Sequence, residues 1–163
     1  MHDKDAAKTL PGSGTMKSLD KASLQGVAHS MQQHLEEATP AQRILVVEDD
    51  PSLAHLEGEV LTANGYVVAI AGNGELAVAV LSQSIPDLVL LDLELSGTMN
   101  GWDVLQTLRT YARIPVLLTS AESAVRKQMR TSGEDRSTLD HLPKPYPMQT
   151  LLKRIQRMLM IAP

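Results

Sequence analysis

Residues 87–92 read DLVLLD, and this short segment decides how the rest of the sequence is interpreted. Four consecutive apolar residues stand between two aspartates, with no alternation of polar and apolar positions. Such a run is typical of a strand that is buried on both faces, and Pro86 bounds it on the N-terminal side. Strands of this kind belong to parallel sheets covered by helices, so the segment favours an α/β fold.

Similar apolar runs recur on both sides of this segment, separated by stretches long enough for a helix. The predicted strands are Arg43–Val47, Tyr66–Ile70, Asp87–Leu91, Pro115–Thr119 and a weaker Leu139–Leu142. The predicted helices are Ser52–Ala63, Asn73–Ser84, Gly101–Tyr111, Glu122–Arg130 and Pro147–Met160. Because parallel neighbours require crossover connections, this alternation predicts a doubly wound, five-stranded parallel sheet with five helices.

The first part of the chain differs in character, which predicts an N-terminal extension (residues 1–40) before one globular domain (residues 41–163). Residues 1–15 contain the sequence PGSG and are predicted to be a disordered start. Between residues 16 and 38, apolar side chains recur three or four positions apart, as one face of a helix requires. Pro40 ends this predicted amphipathic helix.

Composition excludes several classes of protein. The 163 residues include 15 Lys and Arg against 19 Asp and Glu, a formal net charge of −4, which argues against direct binding to nucleic acid. The absence of cysteine excludes a disulfide framework, a thiolate zinc site and a cysteine nucleophile. No apolar run approaches the roughly 20 residues that span a bilayer, and the polar start MHDKDAAKTL does not resemble a signal peptide. We therefore expect a cytoplasmic protein without membrane contact.

Polar side chains follow four of the five predicted strands. Glu48 and Asp49 follow the first strand, Asp92 the third, Ser120 the fourth and Lys144 the fifth. Each alone is ordinary in a cap or turn, but the carboxyl ends of parallel strands form one rim where ligands bind. Converging carboxylates repel one another, and a divalent cation with a nearby lysine relieves the repulsion. Such an oxygen-rich set suits Mg²⁺, beside which an aspartate can attack phosphorus and form an acyl phosphate.

The motifs along the chain resemble those of the receiver domain of two-component response regulators, a CheY-like, flavodoxin-like fold. The matching segments are ILVVEDDP (44–51), PDLVLLDLELSG (86–97) followed by NGWDVL (100–105), IPVLLTSA (114–121) and LPKPY (142–146). The resemblance covers about residues 42–161. It implies a phosphorelay switch that accepts a phosphoryl group from a histidine kinase or histidine phosphotransfer protein, and then changes its binding to a downstream protein target. The resemblance also implies a signalling switch that assists its own phosphorylation and dephosphorylation, rather than an enzyme.

The resemblance assigns roles to residues at the strand ends. It makes Asp92 the phospho-acceptor and makes Glu48 and Asp49 the acidic pair that binds Mg²⁺ directly or through water. The main-chain carbonyl of Glu94 would complete the metal site. Ser120 takes the position of the switch hydroxyl, in preference to its neighbour Thr119.

The resemblance also assigns a role to Lys144, and this sequence departs from the family pattern at His141 and in the loop after Asp92. Lys144 would pair with the phosphoryl group and precede a cis peptide bond to Pro145. His141 stands where the family usually has an aromatic switch residue. Ser96 replaces the usual proline in the loop after Asp92, and this loop is one residue longer than usual. The target would bind to the face formed by the fourth helix of the predicted domain, the fifth strand and the last helix.

Two other functions are compatible with parts of this sequence. Gly72, Gly74 and Ala77 fit a dinucleotide-binding fingerprint, with Asp92 20 residues beyond Gly72. That match begins at the second strand and leaves Lys144 unexplained. A haloacid-dehalogenase-like phosphate hydrolase would also use Asp92 as its nucleophile, with the acid two positions later as general acid–base. Such enzymes place their acidic pair late in the chain, whereas here it comes first.

The ends of the chain carry two more expectations. No output domain follows the last predicted helix, so we expect either a stand-alone receiver or a fragment of a longer protein. A homodimer formed through residues 16–38 or through the last helix is a further prediction, based on their apolar faces.

Overall fold

The computed structural model describes residues 20–36 and 39–162, and the chain divides into two compact units at the Pro40–Ala41 junction. The first unit contains helix α1 (Lys21–Glu36). The carboxylate of Asp20 accepts the amide N–H of Ser23 at 2.7 Å, which satisfies one of the free donors at the start of this helix. An N-terminal helix is thus confirmed, whereas the predicted disordered start lies outside the described residues.

The second unit alternates strands and helices. Its strands are β1 (Arg43–Val47), β2 (Val67–Ala71), β3 (Leu88–Asp92), β4 (Val116–Ser120) and β5 (Leu139–Pro143). Its helices are α2 (Pro51–Ala63), α3 (Gly74–Gln83), α4 (Gly101–Arg109), α5 (Val125–Ser132) and α6 (Met148–Ile161). The predicted fold class is confirmed, since every predicted strand and helix of this unit is present.

All five strands are parallel and lie in the order β2-β1-β3-β4-β5. The winding direction reverses at β1, which pairs with β2 on one side and with β3 on the other. A sheet of this kind binds ligands outside the carboxyl ends of its strands, next to this reversal. The register pairs Val47 with Leu91 and Asp92 with Thr119, so β1, β3 and β4 end at the same edge.

Four strands extend one residue further towards the carboxyl end than the apolar runs predict. The strands β3 and β4 end on polar residues, Asp92 and Ser120. Ladder hydrogen bonds continue past these ends, since Leu93 N–H donates to Thr119 O at 3.0 Å and Lys144 N–H donates to Ser120 O at 2.9 Å. Backbone pairing does not depend on side-chain polarity, and therefore the strand extends beyond the apolar run that predicts it.

Side chains cap three helices of this unit, whereas α5 and α6 begin without a side-chain cap. Asn73 accepts the N–H of Leu76 at 2.7 Å, and Asn100 forms a capping box with Asp103. Helix α5 begins at Val125 and not at Glu122, because the preceding residues form a turn without a side-chain cap. None of the described helices combines the length and apolar character needed to cross a membrane.

Two aliphatic cores cover the two faces of the sheet. Side chains from α3, α4 and α5 pack against one face, and those from α2 and α6 pack against the other. Leu61 of α2 and Leu151 and Ile155 of α6 are completely buried. Burial of each such side chain stabilises the fold by about 1.5–3 kcal/mol. These cores hold the helices rigidly and leave the carboxyl edge of the sheet open for a site.

Candidate functional site

Residues from four strand ends meet at the carboxyl edge of the sheet. Glu48 directly follows β1, Asp92 is the last residue of β3, Ser120 is the last residue of β4, and Lys144 directly follows β5. The residues predicted from the strand ends are therefore brought to one rim. The peptide bond between Lys144 and Pro145 is cis, as the resemblance implied.

Three carboxylates form a compact cluster at this rim. Glu48, Asp49 and Asp92 each offer an oxygen atom, and the three atoms lie within 4.8 Å of one another. Glu48 is 3% exposed and Asp92 is 2% exposed, whereas Asp49 is half-buried. Carboxylate oxygens held this close and shielded from water need a cation to offset their repulsion.

Lys144 supplies one such positive charge. Its ammonium nitrogen lies 3.0 Å from Oε2 of Glu48 and 3.1 Å from Oδ2 of Asp92. Burial alone would lower the pKa of Lys144, but the hydrogen bonds to the two carboxylates outweigh it and raise this pKa. The lysine therefore stays charged, and it fixes the side chains of β1 and β3 against each other.

The pKa values of the two acids that follow β1 are shifted in opposite directions. Burial raises the pKa of Glu48, with hydrogen bonds from the Asp50 N–H and from Lys144 acting against it. The pKa of Asp49 is lowered because its carboxylate accepts the N–H of Ser96 at 2.9 Å. This hydrogen bond requires a residue other than proline at position 96, since proline has no N–H to donate.

The donor set fits a hard divalent cation. When the three acids are ionised, Lys144 offsets only one of their negative charges, so two remain. Mg²⁺ prefers oxygen ligands and uses one or two carboxylates beside water and phosphate oxygens. Asp50 stands apart from this set: it caps α2 by accepting the N–H groups of Ser52 at 2.9 Å and Leu53 at 3.3 Å. Its carboxylate therefore serves the helix and not the acidic cluster.

Glu94 makes a side-chain contact that the sequence did not indicate. Its carboxylate Oε1 accepts the hydroxyl of Ser120 at 2.9 Å and the N–H of Ala121 at 3.0 Å. Its own N–H donates to Oδ1 of Asp92 at 3.0 Å. The sequence predicts for Glu94 a main-chain role in metal binding, or general acid–base catalysis in the hydrolase alternative, but not these side-chain contacts.

His141 is buried in β5, opposite Leu118 of β4. Neither of its ring nitrogens has a hydrogen-bond partner among the described residues. Burial and the charge of Arg126 lower the pKa of this imidazole, so it is largely neutral at pH 7. The ring borders a surface cavity of about 460 Å³ whose lining includes four arginines: Arg126, Arg130, Arg136 and Arg154.

One buried acid, Glu57, has no role in any of the predictions made from the sequence. Glu57 of α2 is 1% exposed and accepts the hydroxyl of Tyr146, which follows Lys144 and Pro145. Burial raises the pKa of Glu57 to about 7. The only sequence signal was an acid at a position on the core face of α2, where an apolar residue is usual.

One of the two glycines of the alternative dinucleotide fingerprint, Gly74, has a packing explanation. A side chain on Gly74 would approach Cβ of Met99 to 2.7 Å and Cγ2 of Val104 to 3.2 Å. The absence of a side chain at this position therefore allows the start of α3 to pack closely against the segment that leads into α4. Gly72 lies at an open position, where a Cβ atom would have no neighbouring atom within 4 Å.

Comparison with known proteins agrees with this geometry. Residues 44–156 match the family described as the response regulator receiver domain. The chain is 38% identical over 118 residues to the DNA-binding response regulator MtrA of Mycolicibacterium smegmatis, covering 72% of this chain and 50% of that protein. It is 36% identical over 126 residues to the transcriptional activator protein PfeR of Pseudomonas aeruginosa, covering 77% and 40%. The chain thus spans about half the length of the curated relatives it matches.

Solved structures give the same result. The N-terminal domain of a response regulator/sensory box/GGDEF 3-domain protein from Carboxydothermus hydrogenoformans superposes with a TM-score of 0.64 at 30% identity, covering 74% of this chain and 95% of that one. The Vibrio cholerae chemotaxis protein CheY4 superposes with a TM-score of 0.64 at 26% identity, covering 72% and 98%. These matches favour the receiver interpretation over the dinucleotide-binding and hydrolase alternatives.

Proposed function

The chain belongs to the response regulator receiver domain family, whose members are phosphorelay switches and not conventional enzymes, and from this we propose that Asp92 is its phospho-acceptor. The observation that carries the proposal is the position of this buried carboxylate, 3.1 Å from the Lys144 ammonium and clustered with Glu48 and Asp49. In the transfer, an oxygen of Asp92 bonds to phosphorus while the bond from phosphorus to the donor's histidine nitrogen breaks. The electron pair of that bond stays on the histidine of the kinase or phosphotransfer protein.

Mg²⁺ is the proposed cofactor, held by Glu48, Asp49, Asp92 and the main-chain carbonyl of Glu94. The support is the all-oxygen donor set and the two negative charges that Lys144 leaves without an opposite charge. When bound, the cation neutralises charge between the carboxylates and the incoming phosphoryl group. Mg²⁺ binding is also how this receiver would assist its own phosphorylation and dephosphorylation.

The remaining residues of the site hold the phosphoryl group and pass on the signal. Lys144 would pair with one phosphoryl oxygen, and the Ser120 hydroxyl would donate to another. Movement of Ser120 would be followed by His141, because the strands β4 and β5 that carry them are adjacent. The face of α5, β5 and α6 would then bind its downstream protein target differently. In the cavity beside His141 the four arginines outnumber the two acids, Glu134 and Asp140, and this excess of positive charge favours an acidic group on that target.

Partners and domain organisation belong to the same proposal. Residues 41–163 form the receiver domain, and residues 1–40 form an extension. The partners are a histidine kinase or histidine phosphotransfer protein and a protein target, without direct contact to nucleic acid. Self-association through residues 16–38 or through α6 stays a prediction, supported for α1 by the exposed Leu24, Val27, Met31 and Leu35.

Mass spectrometry after incubation with acetyl phosphate tests the acceptor and the cofactor together. We expect the wild-type chain to gain the mass of one phosphoryl group when Mg²⁺ is present and to gain much less without it. Asp92→Asn should abolish the gain, because the amide cannot form the acyl phosphate. Asp87→Asn is the matched control, since Asp87 is exposed just before the opposite end of β3. Equal labelling of Asp92→Asn and wild type would remove Asp92 from the mechanism.

A further inference from the structure

The Glu94 carboxylate occupies the hydrogen-bond donors that a phosphoryl group on Asp92 would need. Its Oε1 accepts the Ser120 hydroxyl at 2.9 Å, and both of its oxygens lie within hydrogen-bond distance of Ala121 N, at 3.0 and 3.2 Å. Carboxylate and phosphoryl oxygens are both anionic acceptors, so they compete for the same donors. The main-chain N–H of Glu94 donates to Oδ1 of Asp92 at 3.0 Å, which holds the backbone of Glu94 next to the acceptor.

Ser120 has no hydrogen left for a second acceptor in this arrangement. A serine hydroxyl carries one hydrogen, and in this structure that hydrogen is donated to Glu94. The Ser120 oxygen also accepts the N–H of Glu122 at 2.9 Å. A phosphoryl oxygen can therefore receive the Ser120 hydrogen only after the contact with Glu94 is broken.

We propose that Glu94 is an internal competitor of the phosphoryl group, which holds the Ser120 and Ala121 donors until phosphorylation displaces it. This inference rests on the proposed function, because it takes Asp92 as the phospho-acceptor. Glu94 acts as a positioning residue through Ser120, not as a group that reacts. Displacement of Glu94 makes phosphorylation less favourable, because Ser120 and Ala121 must break their charge-assisted hydrogen bonds to Glu94 before they bind the phosphoryl group.

Titration with beryllofluoride at saturating Mg²⁺ tests the competition, with Asp92→Asn as the variant that defines specific binding. Glu94→Ala removes the competing carboxylate and keeps the main-chain carbonyl, so we expect it to bind beryllofluoride about ten-fold more tightly than wild type. Glu94→Gln should fall between the two, because a neutral amide oxygen is a weaker acceptor. Glu122→Gln is the matched control: it removes a negative charge from an exposed residue near the site, and its affinity should change less than about two-fold.

Amide NMR of the metal-free protein provides a second measurement that needs no phosphoryl analogue. In Glu94→Ala, the N–H of Ala121 loses its acceptor, so its resonance should shift strongly, whereas Glu122→Gln should leave it in place. If Glu94→Ala and Glu122→Gln gained the same affinity for beryllofluoride, the loss of one negative charge would explain the effect. The proposal would then be overturned. Unchanged or weaker affinity in Glu94→Ala would overturn it too, with the proposed function intact. If wild type and Asp92→Asn bind beryllofluoride alike, both proposals fail.

Discussion

At the scale of single residues, burial determines the pH at which Glu57 ionises. This side chain is 1% exposed, and only one of its carboxylate oxygens has a hydrogen-bond partner, the Tyr146 hydroxyl, among the residues that the structure covers. Burial raises the pKa to about 7, against the effect of the Tyr146 hydrogen bond. The negative charges of Glu48 and Asp92 raise it further, and the positive charge of Lys144 lowers it.

The raised pKa of Glu57 predicts that the protein loses stability as the solution becomes less acidic. The ordinary pKa of 4.5 applies to the unfolded chain, which therefore releases this proton at lower pH than the folded chain. The contribution of Glu57 to the free energy of unfolding is complete below pH 4.5 and is lost as the pH rises to about 7. With 1.36 kcal/mol for each pH unit, the loss amounts to about 3 kcal/mol.

Urea unfolding of wild type and Glu57→Gln between pH 4 and pH 8 measures this loss. The difference between the two free-energy curves should change by up to about 3 kcal/mol over that interval, because glutamine does not titrate. Glu122→Gln, at an exposed acid without a side-chain ion pair among the described residues, should run parallel to wild type. Parallel curves for Glu57→Gln and wild type would show that Glu57 titrates normally.

Single residues also show what the sequence can and cannot reveal about the site. The meeting of Glu48, Asp92 and Lys144 follows from their places after successive strands, because parallel strands share one carboxyl edge. The contacts of Glu94 with Ser120 and of Glu57 with Tyr146 do not follow, since they depend on side-chain rotamers that tertiary neighbours select. Sequence spacing therefore predicts which residues meet, but not which hydrogen bonds they form.

At the scale of elements, Gly101 lets the first turn of α4 lie against the end of β3. A Cβ atom at this position would come 2.7 Å from Cα of Leu93 and would clash with the main-chain oxygen of Asp92. The Gly101 N–H also donates to Leu93 O at 3.2 Å. The position of the carboxyl end of β3 thus depends on a residue that has no functional group.

Gly101→Ala should therefore lower both stability and phosphorylation. We expect the free energy of unfolding to fall by about 1–3 kcal/mol, because backbone and not a flexible side chain must move. The rate of labelling with acetyl phosphate should fall as well, since Asp92 is displaced. Urea unfolding and mass spectrometry measure the two effects. Gly72→Ala, at an open position, should change stability by less than about 0.5 kcal/mol, and equal effects of the two variants would contradict the packing argument.

The sequence predicts the order of the helices and strands better than it predicts the residues at which they begin and end. The order and type of all elements in residues 41–162 could be predicted, because buried parallel strands and amphipathic helices have distinct apolar patterns. The ends of β3 and β4 could not, since Asp92 and Ser120 are polar residues that the ladder includes. The start of α5 could not either, because no side chain caps it.

At the scale of the whole molecule, the second unit contains everything that the proposed switch needs. Both aliphatic cores and the acidic cluster, Lys144, Ser120 and Glu94 lie within residues 41–162. A domain that buries its own core folds by itself. The receiver should therefore be independent of residues 1–40 in both stability and chemistry.

Deletion of residues 1–40 tests this independence. The shortened chain should unfold within about 2 °C of the full chain, since neither core contains a side chain from the described part of residues 1–40. Its affinity for beryllofluoride at saturating Mg²⁺ should be unchanged, because every proposed ligand is retained. Calorimetry and a beryllofluoride titration measure the two quantities. A large fall in the unfolding temperature would mean that the extension stabilises the receiver, and a change in affinity alone would mean that it regulates the site.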